Sequence, residues 1–152
     1  MAITELIQPI RALSKLSELG NDKLLEIAEK AGSQFRQLDV TSSKIRKFQS
    51  QIVQVFHRSK IDASFDPSAV RLLKYHLAYA AAREMRDKRS SFTDFKDFFD
   101  AALDKVKDRA DIDRLRQLYD ATLSYHAYSN EKARLENQQN RMTGRGPNRY
   151  GR

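Results

Sequence analysis

Residues 38–56 read "LDVTSSKIRKFQSQIVQVF", and two patterns are superimposed in them. Ile45, Phe48, Ile52 and Phe56 recur at three- and four-residue intervals, which places them on one stripe of an α-helix. Thr41 or Ser42 is available to cap its start. At about 100° per residue, Lys44, Lys47, Gln51, Gln54 and Arg58 fall on the opposite face, with Arg46 on the flank. A helix with one apolar side and one cationic side must bury the first and offer the second to solvent or to an anion.

The flanking sequence supplies only helices to bury it against. Glycine occurs at 20, 32, 144, 146 and 151, and Pro67 is the single proline between residues 10 and 146. A stretch so poor in turn residues does not fold as a sheet. Helices are predicted over 3–19 and 22–31, with Gly20 and Gly32 as their C-terminal caps. In "FDPSAVRLLKYHLAYAAAREMRDKRS" Asp66 stands at an N-cap and Pro67 at the first helical position, so a helix should run from there to about Lys88. Its middle is apolar on most sides, and Ala78, Ala80, Ala81 and Ala82 would let neighbours approach closely, which predicts the central helix of a bundle. Phe92, Phe95, Phe99, Leu103 and Val106, with Phe98 and Ala102, form a core face at helical spacing. A last helix, from near Asp111 to about Asn137, presents Ile112, Leu115, Leu118, Tyr119, Thr122 and His126. The arginine- and glycine-rich "RMTGRGPNRYGR" has nothing to pack and is expected to be disordered when alone. The expected fold is all-α: a compact bundle of five or six helices with a disordered basic C-terminal tail. Residues 1–137 are expected to form a single helical domain, an N-terminal extension over 1–34 and a core over 38–137, followed by a flexible tail over 138–152.

Composition narrows the function. The chain has 152 residues, enough for one domain with a real core. It contains no cysteine, which excludes disulfides, thiolate catalysis and cysteine-based zinc sites. No apolar run approaches the roughly 18 residues that span a bilayer. The opening "MAITELIQPIRALSKL" lacks the uninterrupted apolar core of a signal peptide, so a cytoplasmic protein without membrane contact is expected. The net charge of +8 is concentrated: residues 44–89 hold 11 cations and 4 anions, and residues 141–152 hold 4 cations and no anion. Such a surface points to a polyanion partner, with a merely solvated face as the alternative.

Catalytic signals are sparse. None of His57, His76 and His126 belongs to a metal-binding pair such as H-E-x-x-H. Asp97, Asp100 and Asp104 could be imagined around magnesium, but their spacing is that of surface charge pairs with neighbouring lysines. No metal or other cofactor is implied. Arg71 and His76 in "RLLKYH" have the R-x4-H spacing of the helical HEPN ribonucleases, in which arginine could stabilise phosphorane charge and histidine transfer a proton. In a chain this rich in arginine about one such match arises by chance.

Two stretches together carry a stronger resemblance. "LDVTSSKIRKFQSQIVQVF" resembles a T-x-S-x-I-R-K-F motif and "LLKYHLAYAAAR" resembles an L-K-P-K-L-A-Y-A-A-G-R motif, both of the small subunit of type III-A CRISPR effector complexes, the Csm complexes. The match covers about residues 38–89, with 90–135 compatible as the remaining helices. Ile45, Arg46, Lys47, Phe48, Lys74 and Arg83 keep their motif places. Tyr75 and His76 stand where the family often has Pro and Lys, which loses a cation at neutral pH, and Ala82 stands where it often has Gly.

The resemblance implies a non-catalytic subunit that stacks in several copies beside a filament of backbone subunits, with the large subunit also in the complex. It would hold target RNA and the guide–target duplex. A row of Lys and Arg without accompanying exposed aromatics binds phosphates through charge and counterion release but does not read bases. In a guided complex base pairing supplies the sequence and protein the backbone contacts. The expected RNA-binding residues are Lys44, Arg46, Lys47 and Arg58 as one row, with Lys74, Arg83 and Arg86 as a second cluster that Lys88 and Arg89 extend; Arg141, Arg145, Arg149 and Arg152 of the tail would add loose affinity. Two other readings stay open: an HEPN-like metal-independent ribonuclease using Arg71 and His76, and a basic helical interaction module unrelated to CRISPR.

Overall fold

A computed structural model describes residues 3–38, 40, 42–87 and 92–143. It is built of helices: α1 (Ile3–Arg11), α2 (Asn21–Gln37), α3 (Ser42–Ile61), α4 (Leu73–Asp87), α5 (Phe92–Leu103) and α6 (Arg109–Met142), with short 3-10 helices at Leu16–Glu18 and Pro67–Leu72. No strand occurs among the described residues. The buried apolar side chains of all six helices form one cluster, and residues 3–31 contribute to it through Ile7, Ile10, Leu16, Ile27 and Ala31.

The core is aromatic at its centre. Phe95 of α5 lies 4.9 Å from both Phe92 and Phe99 and 5.1 Å from Phe35 of α2, while Phe99 stands 4.9 Å from Tyr119 of α6. Ile45, Phe48 and Ile52 of α3 are buried against it as their spacing predicts, and Phe56 is half-buried with the Arg116 guanidinium 4.3 Å from its ring centre. The Tyr119 hydroxyl donates to the Ile45 carbonyl and ties α3 to α6; burial pushes that phenol far above the usual tyrosine range.

α6 begins at Arg109, close to the expected Asp111. The Asp108 carboxylate accepts from the Asp111 N–H at 3.1 Å, and the fully buried Asp111 carboxylate accepts from the backbone N–H groups of Ser17, Lys107 and Asp108 at 2.8, 2.7 and 3.1 Å. Three donors on one carboxylate satisfy a charge that would otherwise be costly to bury. The helix continues past the expected limit at Asn137 to Met142.

The N-terminal boundaries also differ from the sequence expectation. The predicted 3–19 helix stops at Arg11, two residues after Pro9, and the chain docks on the connection between α5 and α6 through Leu16 N–H to the Lys105 carbonyl at 2.9 Å. The ladder runs past Pro9, with the Ala12 N–H donating to the Gln8 carbonyl at 3.0 Å, and the helix ends where the chain turns toward this docking contact. Gly20 therefore precedes α2 as its extended N-cap. α2 also runs straight through Gly32. A Cβ there would lie 2.6 Å from the His126 nitrogen and 2.9 Å from the Thr122 oxygen, so this glycine marks a close backbone crossing of α2 and α6 rather than a cap.

The segment after Asp66 starts as expected, with its carboxylate accepting from the Ser68 N–H at 3.0 Å, but its first six residues are 3-10 and α4 begins only at Leu73. α4 is not central. It buries Leu73, Leu77, Ala81 and Glu84, while Ala78 and Ala82 face solvent. Alanine and tyrosine counted as apolar made the middle of this helix look core-like on most sides, yet neither demands burial. The central position belongs to α6, which packs against both α2 and α3. The expected cap Thr41 and the tail from 144 onward lie outside the described residues.

Candidate nucleic-acid interface

α3 and α4 lie side by side and antiparallel. Lys44 forms an ion pair with Glu84, and seven residues along α3 the Gln51 Nε2 is 3.5 Å from His76 Nδ1, eight residues back along α4. α3 rests on α6 and α4 on α5, so the two helices leave a groove between them of about 320 Å³. Phe48, Leu77 and Phe92 form its floor. Lys44, Lys47 and Gln51 rise on one wall and His76, Tyr79 and Arg83 on the other.

Helical geometry accounts for the walls. Lys44, Lys47 and Gln51 each precede a buried residue, Ile45, Phe48 or Ile52, and so flank the apolar stripe. Lys44 and Gln51 are accordingly half-buried at the groove edge, not on the face opposite the core, whereas Lys47 is exposed. Arg46 is exposed on the other flank.

The antiparallel register redistributes the expected RNA-binding residues. It brings the first turn of α3, with Lys44, Arg46 and Lys47, to the last turns of α4, with Arg83 and Arg86. It separates Arg58 from that group, since eleven residues of helix span roughly 16 Å. The Arg58 guanidinium instead lies 5.4 Å from the Phe65 ring centre. Lys74 is likewise about 13 Å along α4 from Arg83 and is paired with Asp104 at 2.6 Å. Arg83 sits 6.0 Å from the Tyr79 ring centre. Lys88, Arg89 and the tail arginines 145, 149 and 152 lie outside the described residues; Arg141 is exposed near the end of α6.

Among these cations Lys44 differs. Its partner Glu84 is buried, so that ion pair joins the two walls of the groove and the Lys44 charge is already engaged. Net positive potential at this end therefore rests on Arg46, Lys47, Arg83 and Arg86.

Other constellations do not assemble. Among the described residues no hydrogen bond joins Arg71 to His76; the His76 ring stacks on Tyr75 at 4.2 Å and 30° and meets Gln51. Lys96 engages Asp97 at 3.7 Å and Asp100 at 2.6 Å, and Lys74 engages Asp104, so the acids imagined around magnesium are held in surface pairs. No group of three or more potential metal ligands occurs among the described residues. No described helix is long and apolar enough to cross a membrane.

The sequence reading missed one class of residue. It took the cationic row to lack exposed aromatics, but Tyr75 and Tyr79 are 63% and 67% exposed beside it. Their signal is a four-residue spacing two positions out of phase with the buried Leu73, Leu77 and Ala81, which turns both rings away from the core. A family model described as Csm2 Type III-A matches residues 18–132. No curated protein and no solved structure matches the chain.

Proposed function

The chain belongs to the Csm2 type III-A family, small subunits of type III-A CRISPR effector complexes, and from that premise we propose that it is the subunit that holds RNA in such a complex without cleaving it. Several copies stack beside the backbone subunits and contact the large subunit. They hold target RNA and the guide–target duplex through sequence-independent phosphate contacts. The observation that carries this reading is the convergence of Lys47 and Arg83 on one end of the α3–α4 groove, with Arg86 exposed about a turn from Arg83 and Arg46 exposed on the far flank of the same turn of α3. Phosphates bound there release counterions, which gives affinity without base readout.

The experiment is a salt titration of RNA binding by the full chain and by an Arg46→Ala, Lys47→Ala, Arg83→Ala variant. Lys44 is left in place so that its ion pair with Glu84 is preserved. The variant should bind every single-stranded sequence more weakly by the same factor, with the slope of log affinity against log salt shallower by roughly 0.7 per lost contact. A loss that depends on sequence, or an unchanged slope, would refute the phosphate reading. A cleavage role for His76 finds no support, because its ring partners are Tyr75 and Gln51.

A further inference from the structure

Phosphate contacts leave the outer face of α4 unused. Tyr75 and Tyr79 stand one turn apart, about 6 Å along the helix, and more than 60% of each is exposed. Tyr79 lines the basic groove with Arg83 over its ring, and Tyr75 stacks on His76, which lines the same groove. Leu72, just before α4, and Met85, in its last turn, are also 63% and 66% exposed. The cations Lys47 and Arg83 thus give way along the groove to the rings of Tyr79, His76 and Tyr75.

We propose that Tyr75 and Tyr79 form a stacking platform for unpaired bases of single-stranded RNA whose phosphates lie in the α3–α4 groove, so that the site prefers single strands to duplex. The inference rests on the RNA-holding reading above and adds a substrate preference to it. In a duplex successive nucleotides advance about 3.4 Å per strand and cover one another's faces. Two rings about 6 Å apart along a helix match an extended strand with one splayed base per ring. Base–aromatic stacking is indifferent to sequence, because every base has a π-face, and so it is compatible with guided recognition. The surrounding Lys47, Arg83 and Arg86 favour a polyanion over a neutral apolar protein surface as the occupant.

The test uses the full chain and three probes of equal length: oligo(U), an abasic ribose–phosphate strand of the same charge, and an RNA duplex. The wild type should bind oligo(U) about tenfold more tightly than the abasic strand. Tyr75→Leu with Tyr79→Leu keeps the apolar area but removes the ring planes. This variant should reduce that preference to about twofold or less, with abasic and duplex affinities and the salt slope unchanged. Equal wild-type affinity for oligo(U) and the abasic strand overturns the platform, as does a preference that survives the leucine substitutions. In both of those results the phosphate reading stands if the Arg46, Lys47 and Arg83 variant still weakens every probe. Failure of the wild type to bind any of the three overturns both readings.

Discussion

At the scale of single residues, Gly32 and His126 mark a close crossing of the α2 and α6 backbones. Alanine is favoured over glycine inside a helix by about 1 kcal/mol, so Gly32→Ala would stabilise an isolated α2. In the folded chain the new methyl group meets the backbone of α6 at 2.6 Å, and backbone cannot rotate away as a side chain can. Overpacking of this kind costs about 1–3 kcal/mol, so the expected outcome is a melting temperature lowered by several degrees. An unchanged or higher value would show that α2 and α6 stand farther apart. Beside that contact, His126 is buried and its ring Nε2 lies 2.8 Å from the Val40 carbonyl oxygen, a bond in which the ring N–H donates. Burial lowers its pKa, the bond to Val40 opposes this, and the charge of Arg36 lowers it further. The unfolded chain therefore takes up a proton near pH 6.5 that the folded chain refuses, so stability is full above about 6.5 and falls as the pH drops toward the lowered native value. Thermal melts at pH 7.5 and 5.5 should show a larger loss for the wild type than for His126→Asn; equal losses would remove His126 as the cause.

At the scale of elements, the pairing of α3 with α4 sets what each cation is for. Lys44 and Lys47 look interchangeable in "SSKIRKF", one turn apart on the same wall. Only Lys44 meets the buried Glu84. Removing it strips a partner from a carboxylate held away from water, and because Lys44 is a third exposed the cost should be reduced to about 1–2 kcal/mol. Lys47→Ala should leave stability within about 0.5 kcal/mol while weakening RNA binding. Chemical denaturation of the two variants separates these roles, and Lys44→Ala with Glu84→Gln should recover much of the loss. Equal stabilities for Lys44→Ala and Lys47→Ala would mean that the ion pair does not hold the groove together. The same element scale explains the error over α4. A run such as "HLAYAAAR" carries a real apolar stripe at Leu73, Leu77 and Ala81, but the alanines and tyrosines around it satisfy water as readily as a neighbour. Its exposed side is a surface because α5 covers one face and no described residue covers the other.

At the scale of the whole molecule, the central helix is the long α6. Its buried side chains end at His126, and residues 134–142 beyond them are exposed, Leu135 and Met142 included. The sequence by itself determined the all-helical class, because a chain so poor in internal turn residues and with a 3.6-residue apolar rhythm has few other ways to bury Phe48, Phe95 and Leu115. It also determined the core faces of α3, α5 and α6, since local periodicity fixes which side of a helix is apolar. It held the family motifs in 38–83, and with them the choice of cationic residues. Tertiary structure alone decided that α2 passes through Gly32, that α6 rather than α4 is central, and that Lys47 and Arg83, thirty-six positions apart in the chain, share a groove while Lys47 and Arg58 on one helix do not. The physical reason is the range of the information: hydrophobic rhythm and caps act over a few residues, whereas the approach of two backbones and the antiparallel register of α3 and α4 depend on how all six helices close around one core.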